Sequence, residues 1–160
     1  MSELKETLTE RGITFELLPH AKAYTSIEEA RALGIDADEV VKTIVLDTQD
    51  GHAVAVIPAS RRLNMNLVRD ALADNHAALA TENEIEQDFP GYELGALPPL
   101  GTLLHAPVFV DPEVMTHETI VFAAGSQTES VKARTKDVFR GENVREVPLT
   151  QHPDEKRGWG

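Results

Sequence analysis

Cysteine is absent from this chain of 160 residues. That excludes disulfides, thiolate metal sites and a cysteine nucleophile. Long apolar runs are missing as well. No stretch approaches the roughly 20 consecutive apolar residues that span a bilayer. The start, Met1-Ser2-Glu3-Leu4-Lys5-Glu6, is charged and amphipathic, with no apolar signal core. A cytoplasmic location and no membrane partner are therefore expected. Positive charge is scarce: 15 Lys and Arg face 27 Asp and Glu, for a net charge of −12. Such a balance favours solubility and opposes indiscriminate binding to nucleic acid or anionic lipid, while leaving room for local basic surfaces.

Familiar chemical motifs are also missing. His20, His52, His76, His105, His117 and His152 form no H-x-H or H-E-x-x-H pairing, so no metal and no cofactor are expected. Gly125-Ser126-Gln127 places a serine after a glycine, but the second glycine of a nucleophile elbow is lacking. There is no P-loop and no G-x-G-x-x-G. The carboxylates fall mostly on predicted helical faces, where solvation accounts for them.

What remains is an ordinary globular composition, 41% hydrophobic, suited to one domain over residues 1–160 with a polar, frayed tail from about residue 148. Residues 3–11 read as a helix closed by Gly12, and residues 13–18 as a half-buried strand. Thr25 or Ser26 caps a helix through about residue 33, with Ser26 and Glu29 spaced as a capping box. Two apolar runs, 41–47 and 52–58, flank Gln49-Asp50-Gly51 and read as a β-hairpin. Residues 63–72 have helical spacing, and residues 77–80 resemble a short strand. Thr81 and Glu84 form a second capping box, and residues 91–101 form a loop. Strands are expected at 107–110, 119–123 and 143–147, with a helix at 135–139. The fold class predicted is α/β: a strongly curved mixed sheet or partial barrel flanked by helices.

Lys42 stands inside the apolar run Val40-Val41-Lys42-Thr43-Ile44-Val45-Leu46. An ammonium is costly to bury. It must snorkel to a rim, pair with a carboxylate, or point into a pocket that needs a positive donor. Three loop features accompany it. Gly91-Tyr92-Glu93-Leu94-Gly95-Ala96-Leu97-Pro98-Pro99-Leu100-Gly101 is either a plain connector or a stiffened loop that turns backbone N–H groups toward a ligand. Ala123-Ala124-Gly125-Ser126-Gln127-Thr128 is either a simple turn or a set of hydroxyl and amide donors. Pro58-Ala59-Ser60 ends the strand paired with that of Lys42. Two small basic clusters, Arg61-Arg62 and Lys132, Arg134, Lys136 and Arg140, are either solvated faces or phosphate contacts.

The segments Val41-Lys42-Thr43-Ile44-Val45-Leu46, Ala55-Val56-Ile57-Pro58-Ala59, Gly95-Ala96-Leu97-Pro98-Pro99-Leu100-Gly101 and Phe122-Ala123-Ala124-Gly125-Ser126 occur in an order that resembles the YbaK/prolyl-tRNA synthetase-associated editing domain family. Leu17-Leu18-Pro19-His20 followed by Thr25 is similar to that family's entry segment. The resemblance spans roughly residues 3–147. It implies a YbaK-like curved mixed sheet and hydrolysis of the ester bond of mischarged tRNA by a trans-acting deacylase, with no metal. It implies that activity depends on Lys42, that the Gly95 to Pro99 loop shapes the aminoacyl pocket, and that Gly125 lies at that pocket. Thr43, Ser60, Gly101, Ser126 and Thr128 are further candidates for substrate binding, and Arg61, Arg62, Lys132 and Arg134 for binding tRNA. An auxiliary partner such as an aminoacyl-tRNA synthetase would supplement these charges. A different class of function, a module that binds an aminoacyl-tRNA end, a nucleotide-like ligand or a partner protein without turnover, uses the same pocket.

Overall fold

The computed structural model describes residues 3–151; His152 and the end of the expected tail lie outside them. The chain opens with helix α1 (Glu3–Glu10), whose Leu4 and Leu8 are buried one turn apart. Strand β1 (Phe15–Pro19) follows, then helix α2 (Ser26–Leu33). The cap of α2 is Thr25: its hydroxyl accepts from the Glu28 N–H at 3.1 Å, and Glu28 reaches back to the Tyr24 N–H at 2.9 Å. The Ser26–Glu29 box suggested by spacing is therefore one residue out of register. Glu29 is left free to turn inward, where it is 3% exposed.

Strands β2 (Val41–Thr48) and β3 (Gly51–Pro58) form the expected hairpin, pairing from Val41↔Pro58 to Thr48↔Gly51. Helix α3 (Met65–Leu72) starts at the Asn64 cap. Strand β4 (Ala78–Leu79) and helix α4 (Glu82–Asp88) follow, the latter opened by the complete Thr81–Glu84 capping box. Beyond the glycine- and proline-rich loop come α5 (Gly101–Leu104), β5 (Val108–Val110), α6 (Pro112–Met115), β6 (Thr119–Ser126), β7 (Glu129–Arg134), α7 (Thr135–Phe139) and β8 (Val144–Glu146).

The expected α/β class with a mixed sheet and flanking helices is found, but the strands divide into two sheets rather than one curved sheet or partial barrel, and no closed barrel forms among the described residues. An antiparallel sheet runs β1-β7-β6, and a mixed sheet runs β4-β2-β3-β5-β8 with β3, β5 and β8 parallel. Among the described residues, they are linked edge to edge by the bridge Val40↔Val121. One strand, β7, was not foreseen. Its Val131 and Ala133 alternate with Ser130, Lys132 and Arg134, and the charges disguise a half-buried strand as a solvated cluster.

Strand alternation explains the layers. Val54 and Val56 of β3 join Ile120, Phe122, Val131 and Ala133 in the main core between the sheets. Ala53, Ala55 and Ile57 face the other way and pack with Val68 and Ala71 of α3. Ala30 of α2 covers Val121 on the outer face of the antiparallel sheet. The segment after Pro148, expected to fray, is fastened as far as Thr150. Asp111 Oδ2 accepts from the Leu149 N–H at 2.9 Å, the Thr150 N–H at 3.0 Å and the Thr150 hydroxyl at 2.9 Å. Leu149 is thereby held in the core under α3.

Candidate active site

The site begins with a gap in hydrogen bonding. One edge of β2 pairs with β3 along its whole length. Among the described residues, the other edge meets β6 just before the strand, at Val40, and β4 at Leu46 and Asp47. The Val40 carbonyl accepts from Ala59 on the β3 side, and the Val45 carbonyl accepts from Ala80 on the opposite side. The alternation of an antiparallel ladder then turns the N–H and C=O of Thr43 outward. No described residue meets either group.

Along this open edge lies a cleft of about 550 Å³. Its floor is residues 41–45 of β2. One wall is Tyr24, Thr25 and Ser26 at the start of α2; another is Leu79, Ala80, Glu82 and Ile85 from β4 and α4. Leu94, Gly95 and Leu97 of the loop, with Ala123 of β6, complete it. Lys42 and Thr43 point to opposite faces of β2, yet both line the cleft because it runs along the strand's edge. Lys42 is half-buried and makes no hydrogen bond or ion pair with any described residue. Burial pushes its pKa down, and the neighbouring Arg62 charge pushes it further. The Thr43 hydroxyl is buried with no hydrogen-bond partner among the described residues. Among the described residues, a cation and three polar groups of Thr43 thus stand without partners in a largely apolar cleft.

The walls are fastened by polar knots. Gln127 is 7% exposed; its N–H donates to Glu93 and its amide to the Leu94 carbonyl, each at 2.8 Å, while its own carbonyl accepts from Ala23 at 2.8 Å. One residue, through its main chain and its side chain, thereby ties the loop, the β6–β7 turn and the segment before α2. Ser130, fully buried on β7, donates to Glu29 of α2 and lies 2.8 Å from His20 Nε2. Desolvation raises the Glu29 pKa, against the Ser130 hydrogen bond and the His20 charge. On the opposite wall, His52 Nε2 lies 2.7 Å from Asp88 at the end of α4. The Asp88 hydrogen bond raises the His52 pKa, and Nδ1 makes an ion-pair contact with Asp47 at 3.0 Å.

Of the candidates chosen from sequence, Lys42, Thr43 and Gly95 line the cleft. Gly125 sits behind it: its N–H donates to Ala96 and its carbonyl accepts from Glu93, bracing the loop. Ser126 and Thr128 bond to each other within the turn, at 3.0 Å. Ser60 is exposed and donates to Asp38. Pro99 is buried beside Gly101, which packs against Ala106 and Val108 outside the cleft lining. Arg62 stands near Lys42. Arg61 is tied to Glu113 and Thr150 instead, at 3.4 Å each. Arg134 lines a separate depression with Met115 and His117. Lys132 shares the α2-facing side of β7 with Ser130. The basic clusters therefore converge only in part. Tyr24, Leu79, Ile85 and Leu94 were not singled out from sequence. Tyr24 carried one signal in sequence, an aromatic residue just before a helix cap.

A two-sheet α/β domain with a half-buried cation in a cleft at an open strand edge has the form of a ligand-binding domain. Comparison narrows it. The aminoacyl-tRNA editing domain model matches residues 20–140, and the chain belongs to that family. Similar curated proteins are proline–tRNA ligases. That of Fervidobacterium nodosum is 32% identical over 91 residues, 57% of this chain and 15% of that protein. That of Maridesulfovibrio salexigens is 27% identical over 110 residues, 68% of this chain and 18% of that protein. The chain thus spans less than a fifth of the length of these relatives. Among solved structures, a proposed trans-editing enzyme for prolyl tRNA synthetase superposes with a TM-score of 0.81 at 19% identity, over 95% of this chain and 99% of that one. The hypothetical protein APE2540 gives 0.80 at 25% identity, over 92% and 99%. These likenesses establish the fold. No described helix is long and apolar enough to cross a membrane.

Proposed function

We propose that this domain is a trans-acting deacylase that hydrolyses the ester joining a wrong amino acid to its tRNA. The observation that carries this reading is Lys42, a half-buried cation with no partner among the described residues, lining a cleft in a member of the aminoacyl-tRNA editing family. The likeness to a proposed trans-editing enzyme over nearly the whole of both chains supports action in trans. The likeness to proline–tRNA ligases supports tRNA, and association with a synthetase, as the biological context.

The chemistry asked of the protein is modest, because an aminoacyl ester is already activated. Water adds to the carbonyl carbon, negative charge grows on the carbonyl oxygen, and the bond to the ribose oxygen breaks. The ribose oxygen leaves with a proton, giving free amino acid and tRNA. Lys42 stabilises the growing charge or fixes the terminal phosphate, and the outward Thr43 N–H is a second donor at the same edge. The apolar walls hold the aminoacyl group and limit bulk water.

The test is a deacylation screen over tRNAs charged with alanine, cysteine and serine. Release of at least one amino acid above the buffer rate is expected. Tight binding with no release from any of them would reassign the domain as a binding module.

A further inference from the structure

Tyr24 has the highest exposure among the exposed large apolar residues of the described chain, at 57%, and its ring joins none of the buried clusters. Its backbone is nevertheless fixed. The Tyr24 N–H donates to Glu28, and the preceding Ala23 N–H donates to Gln127. The loop passes so close that a Cβ on Gly95 would lie 2.2 Å from the Tyr24 carbonyl oxygen. A rigid main chain thus holds a solvated aromatic ring at the lining of the Lys42 cleft. Lys22 Nζ stands over one face of the ring, 5.4 Å from its centroid, so a base would stack on the other face. Exposed Leu79 lines the same cleft, so two of the three exposed large apolar residues gather there.

We infer that Tyr24 is the stacking platform for the base of the tRNA's 3′-terminal nucleotide, with Lys22 drawing in the adjoining phosphate. This rests on the deacylase reading. An ester held at Lys42 is covalently joined to the terminal ribose, so its base must lie within one nucleoside's reach. The cleft, at about 550 Å³, exceeds what a small aminoacyl group fills. Aromatic stacking also suits an acidic chain. At a net charge of −12 the protein gains little general attraction for RNA, and a π-face supplies affinity that charge does not.

The test uses an acceptor-stem hairpin ending in CCA. Its terminal ribose carries, through a non-hydrolysable amide, the amino acid released in the deacylation screen. A second hairpin is identical but abasic at the terminal position. Tyr24→Ala should weaken binding to the first roughly tenfold to a hundredfold. Tyr24→Leu, which keeps bulk without a π-face, should behave alike, and Tyr24→Phe should bind as the wild type does. Wild type should lose the same factor on the abasic hairpin, where Tyr24→Ala loses nothing more. Thermal midpoints should be unchanged, since the ring is solvated. If wild type deacylates tRNA but Tyr24→Ala binds normally, or loses equally on both hairpins, the stacking role is overturned and the ring serves another contact, such as a protein partner. If wild type neither deacylates nor binds any charged hairpin, the deacylase reading itself falls, and this inference with it.

Discussion

At the scale of single residues, Lys42 carries a cost in stability, because burial disfavours its charge. Its folded pKa lies below the ordinary 10.5. Between the two values the unfolded chain holds more protons, so stability rises with pH across that window. Below it, at neutral pH, the cost of half-burying the ammonium is fully present. Lys42→Met removes that cost while keeping the stem's packing. It should raise the thermal midpoint at pH 7, because the neutral side chain carries no such desolvation cost. The gain should shrink as the pH approaches 10.5. Deacylation should fall by about 10²–10³-fold. Scanning calorimetry at several pH values, with single-turnover hydrolysis, checks both halves; a large loss of stability would mean that Lys42 has a carboxylate partner after all. This residue was legible in sequence because charge inside an apolar run breaks a pattern. The unpartnered Thr43 hydroxyl was not, since threonine is at home in any strand and only the missing β2 neighbour makes it conspicuous.

At the scale of elements, the glycines of one loop divide into two roles that spacing could not separate. Gly95 has φ +80°, and a Cβ there would strike the Tyr24 carbonyl at the cleft wall. At Gly101 a Cβ would meet the Ala106 carbonyl at 2.3 Å and a Val108 methyl at 2.7 Å, outside the cleft lining. Both alanine variants should be destabilised, Gly95→Ala by at least about 1–2 kcal/mol for its backbone region alone. Only Gly95→Ala should also lose deacylation per folded molecule, because its relief displaces Tyr24 from the cleft. Urea unfolding paired with activity well below the midpoint separates the two; equal specific activities would remove Gly95 from the site. The hairpin, the Thr81–Glu84 box and most helices were readable from periodicity and turn chemistry. The β7 strand was hidden by its charges. The fastening of residues 149 and 150 was hidden because Asp111, which holds them, is 38 positions away from Leu149 in the chain.

For the molecule as a whole, charge is the issue, and neighbours in sequence have been given different work. Arg61, 16% exposed at its side chain, holds Glu113 and Thr150, whereas Arg62 is exposed near Lys42. Arg62→Ala should flatten the salt dependence of tRNA binding by a little under one unit of log–log slope. Arg61→Ala should leave that slope unchanged and lower the thermal midpoint instead. Titrations at four salt concentrations decide this, and a slope change with Arg61 alone would reverse the assignment. The two-sheet arrangement escaped the sequence because strand propensity does not say which edges remain unpaired.

The cleft is a seam between two sheets rather than a hole inside either. Leu79, Leu94 and Tyr24, which help set its dimensions, stand outside all three buried clusters. Substitutions at such positions reshape the opening without creating cavities in a close-packed interior. On the deacylase proposal, selectivity is then free to drift among descendants: a lineage would adjust which side chain it accepts by trimming or enlarging a few rim residues, with the scaffold's stability almost untouched.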